Sequence, residues 1–205
     1  LLSIAKYSAE NPEMRNKGML FVAFAGHEIT KPGSAVFFRR KIEEILSKTV
    51  IFVNLDHLAA TGYECINGCF VKTGMDERRG VFVSNENKLL LRLIRQNVVK
   101  YGLLPAIYHS RMYPGDTAAF YAITEGRIPL FTIMMAPLWY HTMYDTPNKL
   151  TPDQLERAVK AHVSILNEIH HTSSESIKSA EMPPNVNIIR ELRTNLFKQY
   201  FAEEH

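Results

Sequence analysis

The sequence predicts an α/β fold, and three short apolar runs at residues 19–25, 50–55 and 130–135 predict it. None shows polar alternation, and each is too short for a core helix, so each reads as a strand buried on both faces of a sheet. Segments with helical spacing lie between them, as an α/β layering requires.

The 205 residues, 46% hydrophobic and 22% charged, suffice for one sizeable core. The net charge of +3 comes from scattered Lys and Arg, with no basic block beyond pairs such as Arg39-Arg40 and Arg78-Arg79, so no nucleic-acid partner is expected. No apolar run reaches the roughly 18 residues of a membrane span, and no signal peptide is visible. Leu1-Leu2-Ser3-Ile4-Ala5 already has helical spacing but no initiator Met and no capping residue before it, so the chain reads as a fragment entering in mid-helix.

That first helix should close near Asn11-Pro12, because proline disfavours helix in the residue before it. Asn16-Lys17-Gly18 then turns into the 19–25 strand. Past Lys31-Pro32-Gly33, the spacing of Ala35, Phe38, Ile42, Ile45 and Leu46 predicts one helix of about 14 residues, and 50–55 the second strand. Residues 61–73 read as a hairpin around Asn67-Gly68, flanked by Cys65 and Cys69. A two-residue turn would leave these cysteines on opposite faces and a three-residue loop would bring them to bridging distance, so either a disulfide or two thiols is expected.

Residues 75–80 read as a polar loop, and Ser84 as the cap of a helix to about Tyr101 that buries Leu90, Leu91, Ile94 and Val98. A short strand over 106–108 and a short helix from Gly115-Asp116 to Tyr121 precede the third buried strand. Thr151-Pro152-Asp153-Gln154 is a capping box with proline at the first helical position, opening a helix with Leu155, Val159, His162, Leu166 and Ile169 on one face. The expected organisation is thus an α/β domain over 1–171, a Ser-rich linker over 172–184 ending in Pro-Pro, and an amphipathic helix over 185–205. That helix should turn Ile188, Leu192, Leu196 and Tyr200 inward and Arg190, Arg193 and Lys198 outward.

Each apolar strand ends in a candidate metal ligand: Glu28, Asp56 and His141. Side by side, the strands would deliver all three to one crevice beyond their carboxyl ends. Carboxylates with an imidazole suit Zn²⁺ or a similar divalent ion without thiolates. His27-Glu28-Ile29-Thr30-Lys31 lacks the second histidine of a His-Glu-x-x-His helix, and neither a Gly-x-Ser-x-Gly elbow nor a phosphate loop is present.

Phe24-Ala25-Gly26-His27-Glu28 with Gly33-Ser34, Asn54-Leu55-Asp56, Gly115-Asp116, and Tyr140-His141-Thr142 with Asp145-Thr146-Pro147 resemble the motifs of the co-catalytic zinc aminopeptidases. Relatives in that superfamily include the glutaminyl cyclases, glutamate carboxypeptidase II and the catalytically silent transferrin receptor ectodomain. The resemblance runs in order from about Leu1 to Ala161. It implies a three-layer α/β/α fold around a mixed, mostly parallel sheet, here incomplete at its N-terminus. It also implies one or two zinc ions, with Glu28 and His141 on one and Asp56 on the other, and a peptide substrate cut at its N-terminal bond by an activated water. Asp116 falls in a family loop near the substrate pocket, which Tyr113, Trp139 and Tyr140 are candidates to line, and Asp145 is expected to fix the loop after His141. Family habit favours an extracytoplasmic location.

Two departures stand out. The family's usual pair is Glu-Glu, whose first carboxylate takes the proton of the attacking water, and this chain has His27 there. A neutral imidazole, with its usual pKa of about 6.5, can act as that base, can ligate metal, or can be a hydrogen-bonded loop residue. The family's bridging Asp and its other His would lie upstream of Leu1. Alternatives to an aminopeptidase are therefore a silent homologue acting as a binding module and a single-zinc cyclase of N-terminal glutamine. His57, His109, His162, His170 and His171 have no motif to support them.

Overall fold

The computed structural model describes residues 1–200, and their side chains except those of Arg15 and residues 197–200, so the orientations expected for Lys198 and Tyr200 lie outside the described residues. Helix α1 (Leu2–Glu10) ends where Asn11 meets Pro12, and a 3-10 turn (Pro12–Arg15) follows. Residues 18–24 form no ladder, contrary to the buried strand expected there. With no strand beside it, this segment is only partly covered: Phe21 packs with Ile4, Met14 and Leu166, Phe24 meets Phe37 and Phe38 at 5.5 and 5.1 Å, and Leu20 is 78% exposed.

The single helix expected after Pro32 is two, α2 (Pro32–Arg40) and α3 (Ile42–Lys48), broken at Lys41. Glu43 and Glu44 favour the second start, since carboxylates stabilise a helix N-terminus. Then come β1 (Phe52–Asn54), the hairpin β2 (Thr61–Ile66) and β3 (Cys69–Asp76), and β4 (Arg79–Val83). The hairpin turn has two residues, Asn67 (φ 50) and Gly68 (φ 79), and it pairs Ile66 with Cys69. Cys65 and Cys69 therefore fall on opposite faces, and both are free and exposed, so the disulfide is ruled out.

Helix α4 (Lys88–Lys100), β5 (Ala106–His109), α5 (Asp116–Ile123) and β6 (Leu130–Met135) complete the central part. Asn87, not Ser84, caps α4, accepting from the Leu90 N–H. The main sheet runs β1-β6-β4-β5, parallel at β1/β6 and β4/β5 and antiparallel at β4/β6. It is the mixed, mostly parallel sheet expected, with helices on both faces.

Helix α6 (Pro152–His171) has its capping box formed, with Gln154 N–H on Thr151 Oγ1 at 3.2 Å and Thr151 N–H on Gln154 Oε1 at 3.1 Å. Its buried face is Ala158, Ala161, His162, Ile165 and Ile169, while Leu155 is exposed. Successive residues of β6 point to opposite layers. Phe131 and Ile133 join Ile94 and Ile165, whereas Leu130 joins Phe38 and Phe120.

The stretch 172–184, read as a linker, contains α7 (Ser174–Ser179), whose Ile177 is fully buried. It is tied down on both sides, Lys88 N–H donating to Ala180 O at 3.1 Å and Met182 N–H to Asn85 O at 2.8 Å. Ser84 Oγ donates to Glu181 Oε1 at 2.9 Å, and Tyr121 O–H donates to Asn85 Oδ1 at 2.6 Å while accepting the Asn185 N–H at 3.3 Å. This network seats α8 (Val186–Tyr200), whose Ile188, Leu192 and Leu196 pack on the layer built around α5.

Burial pushes the Glu181 carboxyl up to about 7. A pKa higher in the folded than in the unfolded chain means the folded state binds the proton more tightly. The contribution is complete below the unfolded value and is lost as pH rises through about 7. We expect stability to fall by about 1–2 kcal/mol over that window, after allowance for partial exposure. Thermal melts at about pH 5 and about pH 8 should show this loss for the native chain and a smaller one for Glu181→Gln.

Candidate active site

The parallel pairing of β1 with β6 puts their carboxyl ends on one edge of the sheet, where ligands of α/β sheets collect. Past β1 the chain delivers Asp56 and His57, and past β6 it delivers Tyr140 and His141. Met135 N–H donates to His57 O at 3.0 Å and locks the two ends together. His27 and Glu28 arrive on a tight turn closed by Ile29 N–H and Lys31 N–H on Gly26 O at 3.1 and 2.9 Å. Gly33 at the start of α2 packs directly on the Ala25 backbone, leaving no room for a Cβ.

His27, Glu28, Asp56, Tyr113, Tyr140 and His141 all line one cleft of about 540 Å³. Of the residues singled out from the sequence, Asp116 stands behind the wall, buried at the first turn of α5. Its Oδ2 is 2.7 Å from His27 Nδ1. A carboxylate can only accept, so Nδ1 carries the hydrogen and the lone pair of neutral His27 lies on Nε2, 3.4 Å from Asp56 Oδ2. His57 has the same arrangement, with Nδ1 donating to Met135 O at 3.1 Å and Nε2 3.4 Å from Asp56 Oδ1.

Glu28 Oε2 meets His141 Nε2 at 2.8 Å, both side chains more than half exposed. The His141 hydrogen bond holds the Glu28 carboxyl below its ordinary value. Tyr140 stacks on His141 and meets the His57 ring edge-on, with centroids at 3.6 and 4.5 Å. Tyr113 stacks on Tyr121 at 3.8 Å, and burial raises its hydroxyl well above the usual range. Trp139 is buried with Ala60 and Met135 beneath the loop, and Asp145 is exposed on it, its N–H donating to Thr142 O.

Gly115 brings α5 against the site. At φ 61 and ψ −142 it occupies backbone space that only glycine enters freely, and a Cβ there would stand 2.9 Å from Asp56 Oδ2 and 3.1 Å from His27 Cε1. Gly115→Ala is expected to cost about 1–3 kcal/mol and to pry Asp116 from His27, seen as a lower melting temperature together with perturbed His27 imidazole resonances.

No motif in the sequence marked His57, which stands against Asp56, or Lys31, which lines the cleft. His57 was adjacent to Asp56 at a strand end, and that adjacency was the available signal. Asn54, named from the sequence only as part of the Asn54-Leu55-Asp56 motif, is buried with its Nδ2 unpartnered.

The donors are oxygen and imidazole nitrogen, the kinds zinc accepts. Asp56 Oδ2 is buried and accepts no hydrogen bond, as an oxygen built to face a cation would be. The donors form two pairs, Glu28 with His141 and Asp56 with His27, and among the described residues no three His, Cys, Asp or Glu side chains converge to hold an ion. The residues thus fit zinc in kind, as partial ligand sets that further ligands must complete.

A mixed sheet with carboxylates and imidazoles gathered in one cleft beyond its strand ends makes this an α/β protein with a polar cleft at the sheet edge. The family model described as Peptidase family M28 matches residues 1–166, and the chain belongs to that family, the co-catalytic zinc aminopeptidases. Membership marks it as a peptide hydrolase of the metallopeptidase type, in a family generally dependent on zinc. No curated protein and no solved structure matches the chain.

Proposed function

We propose that the protein is an aminopeptidase in which His27 takes the place of the usual glutamate as general base. The observation that carries this is the Asp116–His27 hydrogen bond of 2.7 Å, which fixes the imidazole tautomer and leaves Nε2 free as the acceptor in the cleft shared with Glu28, Asp56 and His141.

Glu28 and His141 would hold one zinc ion, and Asp56 would contribute to a second. When bound, zinc polarises a peptide carbonyl and lowers the pKa of water towards about 7. His27 Nε2 accepts the proton of the attacking water, Asp116 Oδ2 stabilises the imidazolium that forms, and Nε2 then returns the proton to the leaving amine. Removal of an N-terminal residue, as against internal cleavage, is what the family resemblance implies for this cleft.

A second reading, a catalytically silent binding module, draws on the absence of a three-donor cluster among the described residues. The full-length protein should release nitroaniline from aminoacyl-nitroanilides but not from their N-acetylated forms. Chelation should abolish release and zinc should restore it. Absence of release at any zinc loading, with the fold intact, would leave the silent module standing.

A further inference from the structure

Helix α8 lies outside residues 1–166, the part matched by the family, yet Leu192, Asn195 and Leu196 form one wall of the catalytic cleft. Opposite them stand the polar groups His27, Glu28, Asp56 and His141. Leu192 and Leu196 are one helical turn apart, share one face of α8, and continue the apolar surface of Ala118, Ala119 and Tyr113.

We infer that α8 is the specificity element of this site: Leu192 and Leu196 select an uncharged, aliphatic side chain on the residue beside the scissile bond. This rests on the peptidase reading for the position of that bond. The wall is held in place by a contact ahead of it and one within it. Asn185 N–H donates to Tyr121 Oη at 3.3 Å at the start of the helix, and Arg193 Nη1 pairs with Glu125 Oε1 at 2.7 Å further along. Ile188 and Ile189 pack beside them on the α5 layer, so the helix does not depend on Leu192 and Leu196 alone for its seat.

Covering an isobutyl side chain on such a wall is worth roughly 10–100-fold in affinity over glycine. A carboxylate or ammonium laid on Leu192 and Leu196 would lose solvation to side chains that offer it no partner, and binds more weakly there.

The test measures dissociation constants of leucinamide and glycinamide by calorimetry on the full-length protein, with melting curves as the check on folding. The native protein should prefer leucinamide roughly 10–100-fold. Leu192→Ala with Leu196→Ala should bring the two affinities close together. Leu196→Trp, which fills the cleft from the helix side, should weaken leucinamide more than glycinamide, and it decides the matter if the double variant fails to fold.

An undiminished leucinamide preference in the folded variants, or no binding of either amide by the native protein, overturns the inference. Nitroanilide release with a preference indifferent to α8 sinks α8 as selector and leaves the peptidase. Preference that depends on α8 without any release does the reverse.

Discussion

His27→Ala will lower kcat for aminoacyl-nitroanilide hydrolysis by about 10²–10⁴-fold, the range a positioned general base supplies. It should also lower the melting temperature, because the buried Asp116 carboxylate loses its imidazole partner at 2.7 Å, so kcat is compared at a temperature where both proteins are folded. Asp116→Asn removes the carboxylate but keeps a polar group near Nδ1. An amide can present its nitrogen there and turn the imidazole to the wrong tautomer, so kcat should fall while KM holds. His27→Glu puts a carboxylate where the family usually has one and should retain or raise turnover. If His27→Ala kept the native kcat, the proton would have to go to another group, and the assignment of His27 Nε2 would be wrong.

Asp76→Ala will lower stability by about 3–5 kcal/mol, the usual cost of stranding a buried charge. Arg79 is 1% exposed and its Nη2 reaches Asp76 Oδ2 at 2.9 Å. Asp76 also accepts from Arg157 Nη2 at 3.0 and 2.9 Å and from Gln154 Nε2 at 3.0 Å, so one carboxylate ties β3, β4 and α6 together. Burial alone would raise its pKa, but the hydrogen bonds from Gln154 and Arg79 outweigh that and hold it below the ordinary value. Its contribution is therefore present above the unfolded carboxylate range and lost as pH falls through the folded value. In a chain of this length the substitution should lower the melting temperature by roughly 10 °C. Adding Arg79→Met should recover part of it, because a methionine needs no partner in an apolar site.

That ion pair also explains why β4 was invisible in the sequence. Arg79 and Gly80 break the apolar run, and only Val81, Phe82 and Val83 remain to suggest a strand. The sequence pattern cannot show that Arg79 is neutralised from within the fold. The opposite error concerns residues 19–25, whose apolar run promised a paired strand. Apolarity reports a preference for burial, whereas a ladder needs a neighbour, and among the described residues none pairs with it. The break at Lys41 and the helix at Ser174–Ser179 were missed for a related reason, since both are set by how the ends dock and not by local periodicity.

The fold class was legible in the sequence, and the candidate metal ligands expected at the site line one cleft. Asp56 and His141 could be placed together because the ends of parallel strands share an edge, whereas Glu28 reaches the same cleft on a turn and not from the strand expected before it. The partnership of Asp116 with His27, 89 positions apart, could not be read, since it depends on how α5 lies across the sheet. His57 was passed over because a lone histidine has many bland explanations, although it stands as close to Asp56 as His27 does. The role of α8 was hidden altogether. Its amphipathic pattern announced an inward face, and only the folded chain shows that this face borders the cleft.

The most direct test of the central claim is the zinc content of the full-length protein after dialysis against buffered zinc, compared with Glu28→Ala, Asp56→Ala and His141→Ala. If these side chains hold the metal, the native protein retains zinc and each variant loses it or binds it at least about 10-fold more weakly, with the fold intact by circular dichroism. Native-like zinc binding in all three variants would contradict the account, because the metal would then lie elsewhere and the cleft would not be its site.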